Sequence, residues 1–129
     1  MDNIFFIDKN DWVDKVGYCR AKRTGNIIHI SGTVANDEFG NPIGLDNAAL
    51  QTRKILEKFV EIMEHFNSSI NSIVRTRIFT TDISRWEEIG LVHGEFFREI
   101  KPTTTMVEVS KLIREEYIVE IEAEAIIED

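Results

Sequence analysis

Residues 47–66, NAALQTRKILEKFVEIMEHF, set Thr52, Ile55, Leu56, Phe59, Ile62, Met63 and Phe66 at three- and four-residue spacing. That is the pattern of a helix with one buried stripe, and it reads as core rather than as a cofactor site. Asp46 or Asn47 can cap its start by accepting a backbone N–H. On either side the pattern changes to alternation. Tyr18 to Arg23 and Ile27 to Gly32 enclose Thr24-Gly25-Asn26 and predict a hairpin. Residues 33–46, with EFGNPIG, predict a loop. SIVRTRIFTT predicts a strand with Val74, Thr76 and Ile78 on one face and Arg75, Arg77 and Phe79 on the other. Ser84-Arg85-Trp86-Glu87 has the form of a capping box opening a second helix to about Glu99. The stripe of that helix is Trp86, Ile89, His93, Phe96, Phe97 and Ile100, and Pro102 prevents simple continuation. Strands at Thr105–Val109 and roughly Ile118–Ile126 close the chain. The order β-β-α-β-α-β-β, with room for a short N-terminal strand, is α+β: a sheet with two helices on one face. With no linker and no internal repeat, residues 1–129 read as one domain.

A sheet with helices on one side has a second face to account for. The last strand sets Glu120, Glu122 and Glu124 on one face and Ile121, Ala123 and Ala125 on the other. Three like charges in line need cations, and Arg75 and Arg77 are placed to answer them if their strand is adjacent. This face is a candidate subunit interface.

Several function classes are disfavoured. A net charge of −8 and a pI near 4.9 oppose a phosphate-binding surface, so nucleic acid is not the expected partner. Cys19 stands alone, so no intrachain disulfide forms, which fits a reducing compartment; the expected location is the cytoplasm. No run reaches the roughly 18 apolar residues of a membrane span. His29, His65, His93 and Cys19 lack metal-ligand spacing, so no metal is expected. No GxGxxG or Walker pattern occurs.

The stretches GYCRAKRTGNIIHISG, ALQTRKILEKF, SSINSIVRTRIFTTDISRWEEI, EFF, KPTTTMVEVSKL and VEIEAEA follow one another over roughly residues 17–126. In that order they resemble the RidA/YjgF family. The resemblance implies a fold similar to chorismate mutase of the trimeric type, and a homotrimer with small-molecule pockets between subunits. It further implies cofactor-free hydrolysis of reactive imines and enamines; some members are called endoribonucleases or translation inhibitors.

Carried over residue by residue, the family's pocket tyrosine falls on Tyr18 of YCRA and its pocket glycine on Gly32 of SGT. The glutamate thought to orient water falls on Glu120, the first of VEIEAEA, which makes it the catalytic candidate. The carboxylate-binding arginine falls on Thr104 of PTTTMVEV, and the second helix's asparagine on Gly90. An arginine fork holds a carboxylate through two charge-assisted bonds. Threonine offers one neutral hydroxyl, and losing a charged hydrogen bond removes about 1.5–3 kcal/mol. The chain therefore looks like an arginine-less branch for which 2-imino acids are poor substrates. The alternative is a non-catalytic small-molecule binding protein. Thr104 and Thr105, read as a loop leading into a strand, join Tyr18, Gly32, Trp86 and His93 as substrate-binding candidates. His93 shares a helical stripe with Trp86, Gly90 and Phe97; a core or interface histidine is the plainer reading of it. Arg20, Arg75 and Arg77 are the cations available to replace the arginine, with ion pairs the plainer reading.

Overall fold

A computed structural model describes residues 4–128. Eight main elements follow in order: β1 (Phe5–Phe6), β2 (Ala21–Thr24), β3 (Ile27–Thr33), α1 (Ala48–His65), β4 (Ile73–Thr80), α2 (Trp86–Phe97), β5 (Thr103–Glu108) and β6 (Val119–Ile126). They build one six-stranded sheet in the order β1-β2-β3-β6-β4-β5. All neighbours run antiparallel except β4 and β5, which are parallel. A parallel pair needs a crossover between its strands, and α2 supplies it. The pattern is the α+β arrangement read from the sequence.

The α1 stripe is buried from Thr52 through Phe66 and lies against β6 and α2. Asn47 caps the helix, its Oδ1 accepting from the Leu50 N–H at 2.9 Å. Asp46 instead takes φ 54° and pairs with Arg85 at 2.5 Å. Ile28, Ile30, Ile78, Ile121 and Ala123 face the helices and complete the core. The turn between β2 and β3 uses Gly25 at φ 62°, the left-handed region that favours glycine.

Four expectations need correcting. The capping box does not form: Asp82, not Glu87, accepts from the Ser84 N–H at 3.0 Å and starts a 3₁₀ turn over Ile83–Arg85. The α2 N-cap is then Arg85, without a side-chain bond; an aspartate two residues earlier captures the same donor first. The α2 stripe also shifts. Trp86 is 58% exposed while Val92 is buried, because the 3₁₀ turn changes the helix's entry. In β4 the register shifts between Ile73 and Arg75. Val74 consequently leaves the face of Thr76 and Ile78 and is 43% exposed, as a β-bulge dictates. Finally, β5 begins at Thr103, before the Thr105 start read from the sequence, so Thr104 lies inside it rather than in the loop before it, and Thr104 and Thr105 pair with Thr76 and Arg77. No helix among the described residues is long and apolar enough to cross a membrane.

Candidate functional site

On the helix-free face the glutamates of β6 have different partners. Cross-strand pairing sets Glu122 opposite Arg77 and Glu124 opposite Arg75. Arg77 Nη1 lies 3.0 Å from Glu122 and 3.8 Å from Glu124, and Arg75 Nε lies 4.0 Å from Glu124. His29 approaches Glu124 at 3.5 Å from the other side. The two arginines thus answer two of the three charges. Glu120 is opposite Phe79 and forms no ion pair among the described residues. Burial raises its carboxyl pKa above the usual value; the positive charge of Arg20 works against that shift and Glu122 adds to it. Half-buried and with its pKa raised by burial, this carboxyl is placed to exchange a proton.

Gly32 makes room for it. A Cβ at Gly32 would lie 3.0 Å from Glu120 Cδ and collide with the carboxylate. Gly32 falls where β3 changes register against β6, between Ile30 and Thr33. Its carbonyl accepts from Arg20 Nη1 at 2.5 Å, while Arg20 Nε bonds Asp8 at 2.9 Å. The Arg20 guanidinium lies 5.5 Å from the Tyr18 ring. Tyr18 is not on a strand, as the sequence had implied. It follows a π-helical turn over Val13–Gly17 that its N–H closes onto the Val13 carbonyl at 3.1 Å. Tyr18, Arg20, Gly32 and Glu120 thus form one cluster, with Arg20 as the link.

A second group sits on the helix-covered face. Parallel pairing sets Thr76 beside Thr104, and their hydroxyl oxygens are 2.8 Å apart. Thr76 Oγ1 is also 2.9 Å from His93 Nε2 on α2. His93 packs on Phe97 at 4.6 Å between ring centres. Burial pushes its pKa down to about 4, so the imidazole is neutral at physiological pH. Because the folded-state pKa lies below the unfolded value near 6.5, the unfolded chain binds the extra proton first. Stability should therefore fall as pH drops from about 6.5 toward about 4. Melting curves across that window should fall less steeply for His93→Gln than for the wild type; parallel curves would remove His93 as a cause.

The two groups do not meet within one chain. Glu120 is aligned through Phe79 with Val107 on β5. Thr104 is three residues from Val107 and on the opposite face. Two strand spacings and three residues along a strand separate them by about 14 Å. Thr105 lies on the Glu120 face opposite Arg77, and Trp86 stands exposed at the start of α2; neither joins a cluster.

A further cleft of about 720 Å³ lies between the N-terminal segment, the loop after β3 and α1, lined by Arg20, Lys54 and Lys58 among others. Lys58 donates to the Val34 carbonyl at 2.9 Å and to Asn36, and burial lowers its amine to about 8. Thr76, Lys58 and the buried Gln51 were not singled out from the sequence. Polar residues in a helix or strand carry no pattern that marks them as buried.

The endoribonuclease L-PSP family model matches residues 9–127. The chain belongs to this family. On the sequence motifs above it is the RidA/YjgF group. Rv2704 of Mycobacterium tuberculosis, a member of the highly conserved YjgF/YER057c/UK114 family, is 37% identical. Its structure superposes with a TM-score of 0.85 over 95% of this chain and 98% of that one. The RutC family protein PH0854 of Pyrococcus horikoshii is 32% identical over 82% of this chain and 83% of its own length. The 3-aminoacrylate deaminase RutC of Acinetobacter baylyi is 30% identical over 81% and 82%. The fold is the chorismate mutase-like fold of this family.

Proposed function

We propose that this RidA-family chain is a cofactor-free hydrolase of imines or enamines, acting in a cleft that a second copy completes within a homotrimer in the cytoplasm. The observation that carries the reading is Glu120: half-buried, in no ion pair among the described residues, lifted in pKa, and set against a glycine that leaves it room. The 30%-identical deaminase RutC supports the same chemistry, since aminoacrylate is an enamine. The separation of the Glu120 group from the Thr104 group supports a site shared between chains. So does the helix-free face, where Ile27, Val107 and Ile126 are each about two-fifths exposed beside the ion pairs and remain to be covered.

In this mechanism water adds to the carbon of the protonated imine and Glu120 accepts one of its protons, giving the neutral carbinolamine. Glu120 returns that proton to the nitrogen, and as ammonia leaves the hydroxyl oxygen becomes the carbonyl and its proton passes to Glu120, so that the imine and water become the carbonyl compound and ammonium. Such positioned proton transfer contributes roughly 10²–10⁴ in rate. Arg20 supplies positive charge near the carboxylate, with the Tyr18 ring 5.5 Å from its guanidinium. The second group presents Thr104 where the family's arginine falls. This departure favours one other reading, a binding protein without turnover.

Ammonia release from a freshly generated 2-imino acid and from the corresponding uncharged imino amide separates the two. The hydrolase reading expects the wild type to accelerate the amide over a protein-free control, and Thr104→Arg to gain on the imino acid. No acceleration by either chain with either compound would leave the binding reading. A monomer by light scattering at micromolar concentration would remove the shared site.

A further inference from the structure

The chain His93–Thr76–Thr104 has two ways to arrange its protons. In one, His93 Nε2–H donates to Thr76, Thr76 donates to Thr104, and the Thr104 hydroxyl proton is left for the Pro102 carbonyl. In the other, Thr104 donates to Thr76, Thr76 donates to His93 Nε2, and Thr104 can only accept. Thr104 Oγ1 lies 3.2 Å from the Pro102 carbonyl oxygen with donor geometry. The first arrangement therefore makes three hydrogen bonds where the second makes two, and Thr76 is fully buried with no other partner for its hydroxyl. One additional bond is enough to decide the direction.

We propose that His93, through the Thr76 hydroxyl, sets Thr104 as a hydrogen-bond donor, and that this end of the site takes an uncharged oxygen acceptor, an amide or ketone carbonyl, in place of a carboxylate. Three observations support the assignment. The whole chain is neutral, since the imidazole is uncharged at physiological pH. The proton at its end is held only by a long 3.2 Å bond to Pro102, so an approaching acceptor can take it. The partly negative Pro102 oxygen beside it would repel a carboxylate, which no group of this chain of hydrogen bonds compensates. Space is available: Gly90, one turn before His93 on α2, would meet nothing within 4 Å even with a Cβ. Thr104 itself is on the exposed edge strand. His93 is in this account a positioning residue. It acts on substrate only through Thr76 and Thr104.

The inference rests on the proposed function for the existence of the site, but its first test needs no ligand. Nitrogen-15 NMR of the full chain should show His93 protonated on Nε2 at pH 7. A proton on Nδ1, with Nε2 bare, overturns the proposal. The second test titrates pyruvamide and pyruvate as matched uncharged and charged probes. Pyruvamide is expected to bind at least roughly tenfold more tightly and to shift the Thr104 and His93 resonances. His93→Gln, whose side-chain amide also donates, should keep that preference. His93→Phe should reduce it about three- to tenfold, the scale of one hydrogen bond. Should His93→Phe fail to fold, Thr76→Val interrupts the same chain with an isosteric side chain and carries the same expectation. Equal or tighter pyruvate binding, failure of both probes to bind, or an unchanged preference in the interrupted variants overturns it. Ammonia release dependent on Glu120 would stand or fall separately, so loss of this inference and loss of the hydrolase reading give different results.

Discussion

Glu120→Gln is expected to lower ammonia release about 100-fold or more while leaving the fold intact. Glutamine matches glutamate in shape but cannot take a proton from water. The site shows why stability should not suffer. Burial already penalises the ionised carboxylate, and its pKa is raised from 4.5. A carboxyl whose folded pKa exceeds its unfolded value costs stability as pH rises through that interval. Removing the charge should therefore leave the melting temperature unchanged or slightly higher at pH 7. Gly32→Ala reaches the same carboxylate from the other side: the new Cβ collides with it, and the flexible side chain must move. A displacement of this size should reduce turnover roughly ten- to hundredfold with little change in stability. Steady-state ammonia release with thermal melts checks both variants. Activity of Glu120→Gln within twofold of wild type would end the proton-transfer role.

Gln51→Leu is expected to be strongly destabilising. Gln51 is fully buried and spends both ends of its amide on backbone. Nε2 donates to the Gly44 carbonyl at 3.0 Å and to the Glu116 carbonyl at 2.8 Å. Oε1 accepts from the N–H groups of Ile118 at 2.8 Å and Val119 at 3.3 Å. Leucine keeps the volume but takes this partner from the Glu116 carbonyl and from the N–H groups of Ile118 and Val119, while the Gly44 carbonyl keeps its bond from the Asn47 N–H. Each unsatisfied buried group costs about 1–3 kcal/mol, and partial relaxation leaves an expected loss of about 3–5 kcal/mol. For a chain of this length that lowers the melting temperature by about 10 °C or more. Val119 directly precedes Glu120, so the same amide holds the start of β6 and the catalytic candidate's position. Urea and thermal unfolding provide the measurement; a melting temperature within about 2 °C of wild type would show that water replaces the amide without cost.

Much of this architecture is legible without coordinates because burial repeats with the period of each element. The stripe from Thr52 to Phe66 identifies α1 and its buried side. Alternation in β6 separates Ile121, Ala123 and Ala125 from the glutamates, and the same alternation in β4 sets Arg75 and Arg77 to meet two of them. The ordered motifs identify the family. The capping box failed because two local patterns competed for one N–H and the nearer aspartate won. Trp86 was misplaced for the same local reason.

Periodicity says which side of an element is buried, but not which element covers it. The insertion of β6 between β3 and β4 and the parallel pairing of β4 with β5 are contacts between distant segments. The hydroxyl chain from His93 through Thr76 to Thr104 depends on that parallel register and on α2 crossing above it. Arg20 reaches Gly32 because the backbone before β2 is irregular and β3 changes register there, neither of which alternation encodes. Residue types and periods therefore determined the elements, their buried faces and the charge pairing along β6. Only tertiary structure decided that Glu120 forms no ion pair among the described residues, and that Thr104 ends a neutral hydrogen-bonded chain, because both depend on which strands lie side by side and in what register.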